Sequence, residues 1–142
     1  MNEPSETTSG ASLTIARVQA LGAKIRAAIT ALAIHNADTD RALSLQSEGD
    51  RALRDHDLVR AVENYGRAEE AVSVLQRERV SAREARARTD DELRRAQRAG
   101  ANVANAESYS TRGDQALETG NYHTAEVYYA EARILLDASK VR

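Results

Sequence analysis

Cysteine, tryptophan and phenylalanine are absent from this chain, and methionine and proline occur once each. Without cysteine there can be neither a disulfide nor a thiolate metal site. The single proline is Pro4, and only seven glycines punctuate 142 residues, so little interrupts a helix. No apolar run approaches the roughly 20 residues that a membrane-spanning helix needs. Residues 1–10 have neither the basic start nor the apolar stretch of a secretory signal. A cytoplasmic protein without a membrane partner is therefore expected. A net charge of −2, from 20 basic and 22 acidic residues, supplies no global field for holding a polyanion.

What remains is helix-forming material: 27 alanines, 18 arginines, and leucine, glutamate and glutamine, all of which lose little on entering a helix. A core built from alanine buries little area per residue, so the helices must approach closely over long contacts. The length suits one domain with one core.

Residues 1–11 are small and polar and are expected to form a disordered tail. A capping helix is expected over 12–35, where Val18, Leu21, Ile25, Ala28 and Leu32 recur at alternating steps of three and four, with Ile15 and Ile29 widening the stripe. The run Asn36-Ala37-Asp38-Thr39-Asp40 stops that helix and starts a second, which reaches Arg54 through Ala42, Leu45, Gly49 and Ala52. Asp57 can cap a long third helix through Leu58, Ala61, Tyr65, Ala68, Val72, Leu75 and Ala82. Thr89-Asp90-Asp91-Glu92 has the form of a capping box and predicts a break near Thr89. A fourth helix is then expected over 90–118, with Gly100 among its packing positions. Gly120-Asn121 closes it, and a last helix follows from Tyr122 to about Ala138. The expectation is an all-α fold of about five helices with long central ones: a capping helix 12–35, an antiparallel hairpin 40–88 and a second hairpin 90–138, within a single domain 12–142.

Sliding the chain over itself aligns several features at an offset of 64 residues: Gly49 on Gly113, Asp50 on Asp114, Ala52-Leu53 on Ala116-Leu117, Asp57 on Asn121, Ala61 on Ala125, Tyr65 on Tyr129 and Ala68 on Ala132. Glycine lets a partner helix approach, alanine sits at the close crossing, and tyrosine fills the wider space one turn later. Leu45, Gly49, Ala61, Tyr65 and Ala68, and again Tyr109, Gly113, Ala125, Tyr129 and Ala132, resemble the tetratricopeptide repeat. The pattern departs from that family at Ala52 and Ala116, where an aromatic is expected, and at Ser73 and Asp137, where the family has proline. The likeness covers about half the chain and implies a helical adaptor or scaffold that binds another protein, without catalysis. Two such units cannot bury their own faces. Gln76 to Asn105 is expected to pack on itself as an antiparallel pair, or to be covered by a second subunit. The alternative is an oligomerising, coiled-coil-like structural or assembly protein, suggested by the three-four periodicity over 58–118.

No chemical signature competes with these readings. His35, His56 and His123 fall at helix ends, and none has a second ligand at zinc spacing. There is no nucleophile elbow, phosphate loop or His-Glu-Xaa-Xaa-His motif, so neither an enzyme nor a cofactor or metal site is expected. Asp90, Asp91 and Glu92 read as helix-start acids. Gln76 to Arg98 carries eight arginines against five acids. The acids are interleaved and no aromatic is available for base stacking, which disfavours nucleic acid. Arg79, Arg83 and Arg86 are candidate contacts for a protein partner or a second copy. Tyr109 and Tyr129 sit at packing positions, and Tyr128, adjacent to Tyr129 and so pointing elsewhere, is a candidate interface anchor.

Overall fold

A computed structural model describes residues 13–140; the tail expected over 1–11 lies outside the described residues. The fold is all-α, and no strand occurs among the described residues. Among the described residues five helices follow in order: α1 Ile15–Ala33, α2 Asp40–Arg54, α3 Leu58–Arg98, α4 Ala104–Glu118 and α5 Tyr122–Lys140. The chain divides into two compact units. Among the described residues, the first takes 13–33 together with Thr39–Ser73; the second takes Ile34–Asp38 together with 74–140.

The first unit buries Val18, Gly22, Ile25, Ile29 and Leu32 of α1, Ala42, Gln46, Gly49 and Ala52 of α2, and Ala61, Tyr65, Ala68 and Val72 of α3. Leu21, Ala28 and Leu45, which the periodicity also placed inward, are only half-buried. The second unit buries Ala82, Ala85, Thr89 and Leu93 of α3, Ala106, Ser110, Gly113 and Ala116 of α4, and Tyr122, Ala125, Tyr129, Ala132 and Leu136 of α5. Leu93, Val103, Ala106, Ala132 and Leu136 form its apolar cluster, against which Ala96, Ala101 and Tyr109 pack.

The break expected near Thr89 does not occur, because α3 runs unbroken for 41 residues. The Thr89 hydroxyl does not cap a helix start; it donates to the carbonyl of Ala85 one turn earlier at 2.8 Å. The same oxygen accepts from Arg133 at 3.2 Å, so a buried threonine in mid-helix is fully satisfied. Asp90 and Asp91 are mid-helix as well. The stop lies instead at Gly100, which has φ +82° and is no packing position. The amide of Gly100 donates to Gln97 and that of Ala101 to Ala96, at 3.0 Å each, the bond pair that closes a helix through a left-handed residue. Gln76 to Asn105 therefore does not fold back on itself; most of it continues α3.

These boundaries extend the 64-residue repeat beyond the hairpins. Shifted by 64, α2 falls on α4 end for end, α1 covers 79–97 of α3, and the starts of α3 and α5 coincide. The left-handed residues coincide too: Asn36 (φ 62°) with Gly100 and His56 (φ 59°) with Gly120 (φ 80°). The closing bonds after α2, from His56 to Leu53 and Asp57 to Ala52, recur after α4 from Gly120 to Leu117 and Asn121 to Ala116. The repeating element is thus three helices, with α1 its first member, and the last helix of the first copy continues as the first helix of the second.

Candidate partner-binding surfaces

Each copy is clasped by one tyrosine. In the first, Tyr65 lies between two glycines: a Cβ at Gly49 would come within 2.5 Å of its ring and one at Gly22 within 2.8 Å. In the second, a Cβ at Gly113 would come within 2.6 Å of Tyr129. The Tyr65 hydroxyl donates to Asp50, which also accepts from Gln46 at 3.0 Å and pairs with Arg26 at 3.4 Å. The Tyr129 hydroxyl donates to Asp114 at 2.5 Å, and Arg86 pairs with the same carboxylate at 3.3 Å. Burial, reinforced by the aspartate, pushes the Tyr65 hydroxyl up to about 12 and raises that of Tyr129 further. Both tyrosine hydroxyls and both aspartate carboxylates are engaged within the fold, so these constellations hold helices together.

The four anchors expected from sequence do not form one site. Arg86 is committed to Asp114 and, at 4.0 Å, to Asp90. Arg79 is half-buried, and its charge acts on Tyr122, whose hydroxyl is raised by burial and lowered by that arginine. Arg83 alone of the three arginines is exposed with no bonded partner among the described residues. Tyr128 is half-buried, its ring 6.3 Å from that of Tyr109, with the Arg112 guanidinium 5.3 Å from the Tyr109 ring on which it stacks. Along the arginine-rich segment Arg86 pairs with Asp90, four residues on, and Arg94 with Asp91, three residues back.

Two surfaces were missed by sequence reasoning. On α5, Val127 and Ile134 are 49% and 60% exposed, on one face with the half-buried Ala130. The equivalent residues of the first copy are Glu63, Glu70 and Gly66, all exposed. The signal was present as an apolar residue in one copy facing an acid in the other.

The second surface is a cleft of about 200 Å³ between α2 and the start of α3, lined by Glu48, Arg51, Ala52, Asp55, Asp57, Arg60 and Asn64. The Asp57 carboxylate accepts from the Arg60 backbone amide at 3.2 Å, capping α3. Asn64 is only 7% exposed, yet its carboxamide makes no hydrogen bond among the described residues. No group of three or more His, Asp or Glu side chains among the described residues is placed to hold a metal ion, and no described helix is long and apolar enough to cross a membrane.

No family model matches the chain, and no curated protein or solved structure matches it.

Proposed function

We propose that this protein is a cytoplasmic protein-binding adaptor or scaffold of the tetratricopeptide-like kind, working through faces of its helical units rather than by catalysis. The observation that carries the reading is the unequal treatment of equivalent positions. The duplicated clasp keeps its packing residues, Gly49 with Tyr65 and Gly113 with Tyr129, while the outward face changes from Glu63 and Glu70 to Val127 and Ile134. Exposed aliphatic side chains on a helix that already has a buried face are a feature of interaction surfaces. Nucleic acid is not the partner on this reading, since the arginines of α3 are interleaved with acids and partly paired with them.

Cross-linking of the intact protein in its host, followed by affinity capture and mass spectrometry, tests the reading. A protein cross-linked through α5 or through the α2–α3 face supports it; recovery of the chain without any cross-linked protein overturns it.

The 41-residue α3 and the exposed face of α5 also favour a second reading, self-assembly. Light scattering separates the two. A defined oligomer that persists on dilution supports assembly, and a monomer supports the adaptor.

A further inference from the structure

We propose that the cleft between α2 and α3 binds an extended peptide segment of a partner protein, with one main-chain amide of that segment paired to the Asn64 carboxamide. This deepens the adaptor reading and rests on it.

Asn64 is the first ground. A carboxamide that no group of the fold engages, and that meets water only through the cleft, keeps its donor and acceptor free for a ligand, and helix α3 would accept an aliphatic residue at the same place. Asn64 is 7% exposed and lines the cleft, so its unmade hydrogen bonds open into that space. A carboxamide presents a donor and an acceptor side by side. A peptide unit presents the complementary pair.

The second ground is the other copy. The residue equivalent to Asn64 is Tyr128, which packs against Tyr109, and the residue equivalent to Glu48 is Arg112, which stacks on that ring. The three-helix unit can therefore fill this position with its own side chains, and in the first copy it does not. An open cleft with a polar floor is a property of these residues, not of the fold.

The third ground is charge and size. The lining carries Arg51 and Arg60 together with Glu48, Asp55 and Asp57. A free phosphate would meet three carboxylates, and a lone cation would meet two guanidinium groups. A segment with one basic and one acidic side chain flanking the paired amide satisfies both sets. At about 200 Å³ the cleft lies below the roughly 300–1,000 Å³ of small-molecule pockets, which suits a short stretch of a longer chain.

The test uses the full-length protein labelled with nitrogen-15 and titrated with end-blocked hexapeptides that hold one Arg and one Glu, at every separation, in an Ala-Ser background. We expect saturable shifts of the Asn64 side-chain amide resonances, weakening as salt rises. Asn64→Leu should reduce binding at least tenfold while leaving Tm equal or higher, which a structural asparagine would not do. Asp55→Asn and Arg60→Gln, both at exposed positions, should weaken binding without moving Tm. The proposal is overturned if no hexapeptide moves the Asn64 resonances at millimolar concentration, if Asn64→Leu lowers Tm, or if the uncharged Ala-Ser hexapeptide binds wild type and Asn64→Leu alike. The two readings fail separately. A cross-linked partner captured equally by wild type and Asn64→Leu removes the cleft and leaves the adaptor, whereas hexapeptide binding at Asn64 without any cross-linked partner removes the adaptor.

Discussion

Tyr129 reaches from α5 to Asp114 on α4, one residue beyond the glycine its ring covers, and Tyr65 repeats that reach to Asp50. The two aspartates differ in their other partners. Asp50 keeps Gln46 and Arg26 when its tyrosine is removed; Asp114 keeps Arg86. Both tyrosine-to-phenylalanine changes should therefore destabilise, Tyr65→Phe by about 1 kcal/mol and Tyr129→Phe by about 2 kcal/mol. Urea unfolding of the two variants measures the difference, and equal costs would mean that the extra partners of Asp50 contribute nothing.

The same hydroxyls set the alkaline limit of the fold. Tyr65 is raised from 10 to about 12, so the folded state holds its proton more tightly than the unfolded chain does. The stability it contributes is complete below pH 10 and is lost as pH rises through 12. Thermal melts should be flat in this respect up to pH 10 and fall beyond it, and Tyr65→Phe should make that fall shallower.

Two glycines that look alike in sequence should respond oppositely to alanine. A methyl group at Gly49 would be driven into the Tyr65 ring, and Gly49→Ala should cost about 1–3 kcal/mol despite its better helix propensity. At Gly66, exposed on α3, an added Cβ meets nothing within 4 Å, and Gly66→Ala should stabilise by about 0.5–1 kcal/mol. Chemical denaturation of both variants reads the sign directly.

His56 holds the left-handed turn that Gly120 holds in the second copy. A side chain in that conformation costs about 1 kcal/mol, and His56 makes no contact that requires its ring among the described residues. His56→Gly should raise Tm. Gly120→Ala should lower it by more, because a Cβ there would also run into the carbonyl of Asn36.

Tyr122 is 2% exposed, and its hydroxyl has no hydrogen-bond partner among the described residues. Removing an unsatisfied group relieves its desolvation cost, so Tyr122→Phe should leave Tm unchanged or raise it. A clear loss of Tm would mean that a bound water serves the hydroxyl.

The helices were legible because alanine, glycine and tyrosine recur at helical spacing, and the ends at Arg54, Glu118 and Tyr122 carry turn residues that act locally. Thr89 was misread because a hydroxyl can bond forward, as a cap, or back, to the preceding turn; tertiary burial and Arg133 decide between these, and both are invisible in one stretch of sequence. The first helix of the repeat escaped the self-alignment because its copies share buried positions rather than identity: Val18 answers to Ala82, Ile25 to Thr89 and Ile29 to Leu93. Of the surfaces, the α5 face could have been read from Glu63 against Val127. Asn64 could not, since only the placement of Arg51, Asp55 and Arg60 around it makes a cleft.

The bond from the Asn36 carboxamide to the Glu118 carbonyl, 2.9 Å long, joins residues 82 positions apart. A contact of that span carries the entropic cost of closing a long loop and cannot form early. During synthesis, the connection between α1 and α2 leaves the ribosome long before the turn it rests against. Its final conformation therefore waits for the last hairpin, and a nascent chain shorter than about Glu118 carries an unfinished turn near its own beginning.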